Sequence, residues 1–295
     1  MTKMDFYILD VFAERKYAGN QLAVVRDAAP LSDDTMQTIA KEMNYSETTF
    51  ILSDAPKDGG YDVRIFTPKE EVPFAGHPTL GTAFVIGNEM IRQSAETVVL
   101  NLKVGQIPVT FDRSRDDEDM LWMKQNEPVF GEVIEPATIA NILSIDESEI
   151  DERFCVQEVS TGLPVIIVPL KDLDAVKRAR IKQDEYFKLI EQMEAKAVLV
   201  YCPETYCQDN DLNVRVFCDY YGVPEDPATG SANGCLAGYL VRHRYFGGDW
   251  IDIRVEQGCE IARPSLLHLR AAHDHGRIDV SVGGKVVMIA KGHLL

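Results

Sequence analysis

The sequence predicts an α/β chain built twice from one unit, each unit a curled mixed sheet around a central apolar helix. Three observations predict it. His77-Pro78, two residues, then Gly81-Thr82-Ala83 is echoed by Asp226-Pro227, two residues, then Gly230-Ser231-Ala232, about half of the 295-residue chain further on. A β-rich run precedes each copy, at 63–66 and at 214–217. The segment after each copy is apolar on every side through its first three turns, which places it in a core.

The elements follow in order. Residues 5–12 and 22–26 read as strands flanking the Gly19-Asn20 turn signal. Ser32-Asp33-Asp34 starts a helix to about residue 43, with a side-chain acceptor for free amides and acids at its positive end. Residues 47–52 are a β-rich run and 62–67 alternate as a strand, a helix is expected over 78–91, and 97–104 with 107–111 form a hairpin. The charge-rich run 112–119 marks a boundary between units or a long hairpin tip. Strands are expected at 121–124, 154–159, 164–169, 197–201 and 212–217. Helices are expected at 136–143, 173–178, 184–193 and 227–243. Four β-rich runs, 250–256, 266–271, 278–282 and 286–290, close the chain. The expected domains are 1–115, completed by a C-terminal strand at about 284–295, and 116–283.

Composition narrows the function. Hydrophobic residues make up 45% and charged residues 26%, ordinary for a globular protein. A net charge of −17 supplies no basic field for nucleic acid or an anionic membrane. No apolar run approaches the ~20 residues needed to cross a bilayer, and the start has no signal-peptide core. A cytoplasmic protein is expected. None of the 6 cysteines forms a C-x-x-C pair, so most are expected to be small buried apolar residues.

The chemistry concentrates at the two helix starts. Proline at a first helical position removes an amide that would lack a partner anyway. The free amides expected at 79–81 and 228–231 then offer a site for a carboxylate without Arg or Lys. His77 at such a position is favoured as neutral imidazole and Asp226 as the anion. Each also has a plainer reading, His77 as a buried structural residue and Asp226 as a helix cap. Glu47, heading a β-rich run, is a third candidate: an acid at a cleft can act as general acid or base, although a solvated carboxylate is the plainer reading. If the units are related by a pseudo-two-fold axis, both helix starts can face one interdomain cleft.

At these residues the sequence resembles the PhzF-like family, the phenazine-biosynthesis isomerase group. The matching stretches are residues 19–25, Ser46-Glu47-Thr48-Thr49-Phe50, 66–68 with 73–83, and 225–232. The resemblance implies a diaminopimelate epimerase-like fold of two similar domains with the active site between them. The related racemases use two facing thiols, whereas this chain has His77 and Asp226 at the corresponding places. The resemblance implies a cofactor-independent isomerase, with no metal, nucleotide or redox cofactor, acting on a small carboxylate-bearing substrate as a homodimer. Glu47 would carry a proton between carbons, His77 and Asp226 would hold and polarise the substrate, and Ser231 would complete the polar lining. Gly76, Thr79, Thr229, Gly230 and Ala232 are the expected substrate-binding residues. Gln21-Leu22 departs from a proline-containing version common in the family, and Asn233-Gly234 follows the Gly-Ser-Ala; neither removes a proton-transfer group.

Two other functions stand beside this one. The fold could serve as a non-catalytic small-molecule-binding or interaction protein, or His268, His273 and His275 could hold a metal. The second lacks a complete set of ligands.

Overall fold

The computed structural model describes residues 3–91, 95–113 and 119–295. The chain divides into two compact units, Met1–Lys124 with Gly283–Leu295, and Gln125–Val282. The boundary expected at 115/116 lies outside the described residues.

The first unit contains β1 (Met4–Val11), β2 (Asn20–Val25), α1 (Asp33–Met43), β3 (Glu47–Ile51), β4 (Tyr61–Phe66), β5 (Glu71–Val72), α2 (Gly76–Val85), β6 (Thr97–Leu102), β7 (Gly105–Asp112) and β8 (Met120–Lys124). β1 pairs antiparallel with β2, β2 parallel with β3, β3 antiparallel with β4, β4 parallel with β6, and β6 and β7 continue antiparallel into β8. The strip wraps α2, which packs on β1, β2, β3, β6, β7 and β8. Ser32 caps α1 as its sequence predicts, accepting from the Thr35 amide at 3.2 Å.

The second unit contains β9 (Val129–Ile134), α3 (Pro136–Leu143), β10 (Val156–Ser160), β11 (Pro164–Pro169), α4 (Leu173–Arg178), α5 (Gln183–Ile190), β12 (Ala197–Cys202), β13 (Leu212–Cys218), β14 (Val223–Asp226), α6 (Gly230–Arg242), β15 (Trp250–Gln257), β16 (Ser265–Asp274) and the first part of β17 (Arg277–Leu294). Its pairings repeat the first unit's scheme: β10 antiparallel with β11, β11 parallel with β12, β12 antiparallel with β13, β13 parallel with β15, β15 antiparallel with β16. α6 takes the central place, packed on β10, β11, β15 and β16. The two runs expected at 278–282 and 286–290 form one strand, β17, through Gly283-Gly284. Its final residues pair with β1, from Val11 opposite Val286 to Met4 opposite Leu294.

Both central helices are buried as their sequences require: Gly76–Ala83 and Val85 in α2, and Gly230–Val241 in α6. Such a helix needs small residues where strands press closest. A Cβ placed on Gly81 would lie 2.5 Å from Leu22 Cδ2 and 2.9 Å from Val11 Cγ2. Gly81→Val should therefore lower the unfolding free energy in urea by about 1–3 kcal/mol through overpacking. Unchanged stability would contradict the enclosed position of α2.

Candidate active site

In the first unit three elements meet at one point. β2 and β3 lie parallel with Leu22 opposite Glu47. Alternation along β3 turns Glu47 and Thr49 to the same face, and Thr49 confirms that this face meets α2, through a 2.8 Å bond between its hydroxyl and that of Thr82. His77, the second residue of α2, places Nε2 3.3 Å from Glu47 Oε2, with side chains 5% and 17% exposed. The approach is a close contact without hydrogen-bond alignment. On the other side of the ring, Nδ1 lies 3.2 Å from the Asn20 amide nitrogen.

Burial pushes the His77 imidazole down to about 3, against the opposing effect of a bond with the Gln21 backbone. The contact is thus a carboxyl group beside a neutral imidazole, not an ion pair. The helix start differs from expectation. α2 begins at Gly76, with Ala75 extended before it, two residues ahead of Pro78. The Thr79 amide bonds the Ala75 carbonyl at 3.3 Å and its hydroxyl bonds the same oxygen at 2.7 Å. Thr79 is fully buried and supports the turn. The amides without intrahelical acceptors are those of Gly76 and His77, since Pro78 has none.

The second unit builds its start differently. Asp226 closes β14, and α6 begins four residues later at Gly230 with Thr229 as its cap residue. Asp226 is therefore not the helix cap. Its Oδ2 instead accepts the Thr229 hydroxyl at 2.5 Å. The amides of Gly230, Ser231 and Ala232 precede the first intrahelical bond, from the Asn233 amide to the Thr229 carbonyl at 3.0 Å. These three amides have no intrahelical acceptor, and Ser231, only 9% exposed, adds a hydroxyl beside them. The expected stretch 228–231 becomes 230–232: α6 starts at Gly230, and the Thr229 amide is bonded to Gln257 Oε1 at 3.1 Å.

Two supports hold this turn. Arg215 on β13 forms a fork with Glu225 on β14, at 2.9 and 2.7 Å, and the pair is 4% and 10% exposed. The first unit uses the same device, with Arg64 on β4 gripping Glu71 on β5 at 2.9 and 2.7 Å. Gly258, at φ +76°, lets the chain after β15 pass under Pro227, where a Cβ would lie 2.6 Å from the Pro227 carbonyl oxygen.

The structure thus gathers Gly76, His77 and Glu47 in one unit, and Asp226, Thr229, Gly230, Ser231 and Ala232 in the other. Sequence reading missed Asn20 and Gln257 as site supports. Asn20 stood in plain view after Gly19 but read as a turn residue, and nothing local distinguishes Gln257 from any polar strand end. Among the described residues no three metal-ligating side chains gather, so the alternative on His268, His273 and His275 gains no support. A surface groove of about 470 Å³ beside α3 contains none of the candidate residues.

Comparison with known proteins shows the family and the fold. Residues 9–292 match the phenazine biosynthesis-like protein family, PhzC-PhzF. The chain is 33% identical to the trans-2,3-dihydro-3-hydroxyanthranilate isomerase of Pseudomonas aeruginosa, over 97% of this chain and 98% of that one. It superposes on the PhzF-family phenazine biosynthesis protein of Bacillus anthracis with a TM-score of 0.91 and 25% identity, covering 100% of both chains. A probable proline racemase of Agrobacterium radiobacter shares the fold alone, at TM-score 0.61 and 10% identity over 99% of this chain and 93% of that one.

The buried neutral imidazole has a measurable consequence. A histidine whose folded value lies below its unfolded value of 6.5 makes the unfolded chain bind more protons. Its contribution is intact above pH 6.5 and is lost as the pH falls toward 3. Relative to His77→Asn, the wild type should lose about 1.4 kcal/mol of stability per pH unit well below the unfolded value, read by urea unfolding between pH 7.5 and 4.5. Parallel curves for the two proteins would contradict the assignment.

Proposed function

The chain belongs to the PhzC-PhzF phenazine biosynthesis-like family, and from that premise we propose that it is an isomerase that moves a proton within a small conjugated carboxylate, by general acid/base chemistry and without a cofactor. The observation that carries this reading is the contact of Glu47 Oε2 with His77 Nε2 at 3.3 Å beside the start of α2. A carboxyl group and a neutral imidazole, both largely withdrawn from water, form a pair suited to moving a proton at a carbon centre.

Each residue then has a role. The Glu47 carboxylate removes a proton from an sp³ carbon of the substrate. The electron pair of that C–H bond passes into the conjugated system, and the Glu47 carboxylic acid returns the proton to another carbon. The sum is an isomerisation, with no change in oxidation state. His77, as a neutral imidazole, hydrogen-bonds a substrate polar group and supports the build-up of negative charge. The Gly230, Ser231 and Ala232 amides hold the substrate carboxylate, with the Ser231 hydroxyl beside them, and Asp226 accepts from an amino or hydroxyl group. Action of both helix starts on one substrate, in an interdomain cleft, belongs to this proposal, as do the cytoplasmic location and the homodimer. It is supported by the sequence repeat and by the family.

The relative from Pseudomonas aeruginosa is named for trans-2,3-dihydro-3-hydroxyanthranilate, which makes that compound the first substrate to test. It carries the ring carboxylate and the conjugated carbons that the mechanism needs. Wild-type protein should change its ultraviolet spectrum as the double bonds move. Glu47→Gln should lower kcat by at least ~10²-fold, the lower end of an acid/base contribution, while binding 3-hydroxyanthranilate as tightly as wild type by calorimetry. Full turnover by the variant would remove Glu47 from the mechanism, and loss of both turnover and binding would make it a binding residue.

A further inference from the structure

Gln257, the last residue of β15, is fully buried, and its side-chain amide hydrogen-bonds the turn that carries Asp226. Its Nε2 donates to the Asp226 carbonyl at 2.8 Å and lies 3.0 Å from Thr229 Oγ1. Its Oε1 accepts from the Thr229 amide at 3.1 Å and from Asn233 Nδ2 at 2.8 Å. One side chain therefore ties the end of β14, the helix cap and the first turn of α6 together.

The direction of these bonds matters more than their number. Nε2 can only donate, so Thr229 Oγ1 accepts from it. The same hydroxyl lies 2.5 Å from Asp226 Oδ2. Having accepted from Gln257, it turns its own proton to the carboxylate. The amide orientation of Gln257 is itself fixed, because Oε1 faces two donors, the Thr229 N–H and the Asn233 NH2, while Nε2 faces a carbonyl. A flipped amide would set donor against donor twice. The chain Gln257 Nε2–H to Thr229 Oγ–H to Asp226 Oδ2 thus runs one way, and neighbouring bonds in such a chain reinforce one another.

We propose that Gln257 is a positioning residue for the reaction: through the Thr229 hydroxyl it fixes the orientation in which the Asp226 carboxylate is held. The inference rests on the function proposed above for Asp226. It changes the expected role of Thr229, whose amide and hydroxyl both serve the turn, from substrate contact to relay. A relay of this kind predicts that reversing its polarity should be as damaging as cutting it.

Gln257→Glu makes that reversal with the least change in shape. The introduced carboxylate still accepts from the Thr229 amide and Asn233, but it competes with Asp226 for the Thr229 hydroxyl proton. Turnover of trans-2,3-dihydro-3-hydroxyanthranilate should show kcat lowered about 10²-fold, the effect of a misplacement near 1 Å. KM should stay within about threefold, because the three α6 amides remain. Thr229→Val, which cuts the relay without adding charge, should lose kcat similarly, and Thr229→Ser, which restores a hydroxyl, should exceed Thr229→Val by at least tenfold. Crystal structures of Thr229→Val and Thr229→Ser give a second reading that needs no substrate. The Asp226 carboxylate should leave its wild-type orientation in the valine variant and keep it in the serine variant. An unmoved carboxylate in Thr229→Val overturns the proposal, as does kcat in Thr229→Val equal to that in Thr229→Ser. If wild type does not turn over the compound, the substrate assignment fails and the crystal structures alone decide the positioning role.

Discussion

A helix buried on every side has only its ends for polar chemistry, and both units are built around such a helix. The sheet around α2 leaves no solvated face from Gly76 to Ala83, and that around α6 leaves none from Gly230 to Val241. The interior of each helix satisfies its own backbone groups, but the first amides have no intrahelical acceptor. Burial of the helix thus dictates where an anion can be held. It also dictates the glycines, since Gly81 must admit Leu22 and Val11.

The same architecture is finished with different chemistry in the two units. In the first, the helix starts before the histidine, and the ring stands between Asn20 and Glu47 as a buried neutral imidazole. In the second, the helix starts after the aspartate, which stays on the preceding strand and is tied to the cap residue by a hydroxyl. The Arg64–Glu71 and Arg215–Glu225 forks are the shared part, each joining the strand before the turn to its neighbour. What differs between the units is the group presented, an imidazole in one and a carboxylate in the other.

Much of this was legible in the sequence, and the exceptions have physical causes. The repeat was visible because helix starts with Pro, Gly and hydroxyl residues leave a compact signature. α1, α3, α4 and β11 were legible from caps, apolar spacing and β-branched runs. The exact starts of α2 and α6 were not. Proline was read as a first helical residue, but it is equally compatible with the third position in α2 and with the turn before α6. β9 was missed because it is largely exposed, without the alternation that marks a half-buried strand, and β14 because it is only 4 residues long. Glu47 and His77 were named from local context and family resemblance, whereas Asn20 and Gln257 act through bonds that span 57 and 31 residues of chain. Distances of that kind leave no mark on neighbouring residues.

The central claim, that Glu47 carries a proton at a substrate carbon, has a direct measurement in solvent isotope exchange. The protein should be incubated in D2O with trans-2,3-dihydro-3-hydroxyanthranilate and the product examined by NMR and mass spectrometry. Passage through the Glu47 carboxyl predicts product with its double bonds moved and at most one deuterium bound to carbon, set by how far the acid exchanges with solvent before it returns the proton, and little or no product when Glu47→Gln replaces the wild type. Bound compound with no deuterium at any carbon and no change in its double bonds would contradict the account and mark the protein as a binder.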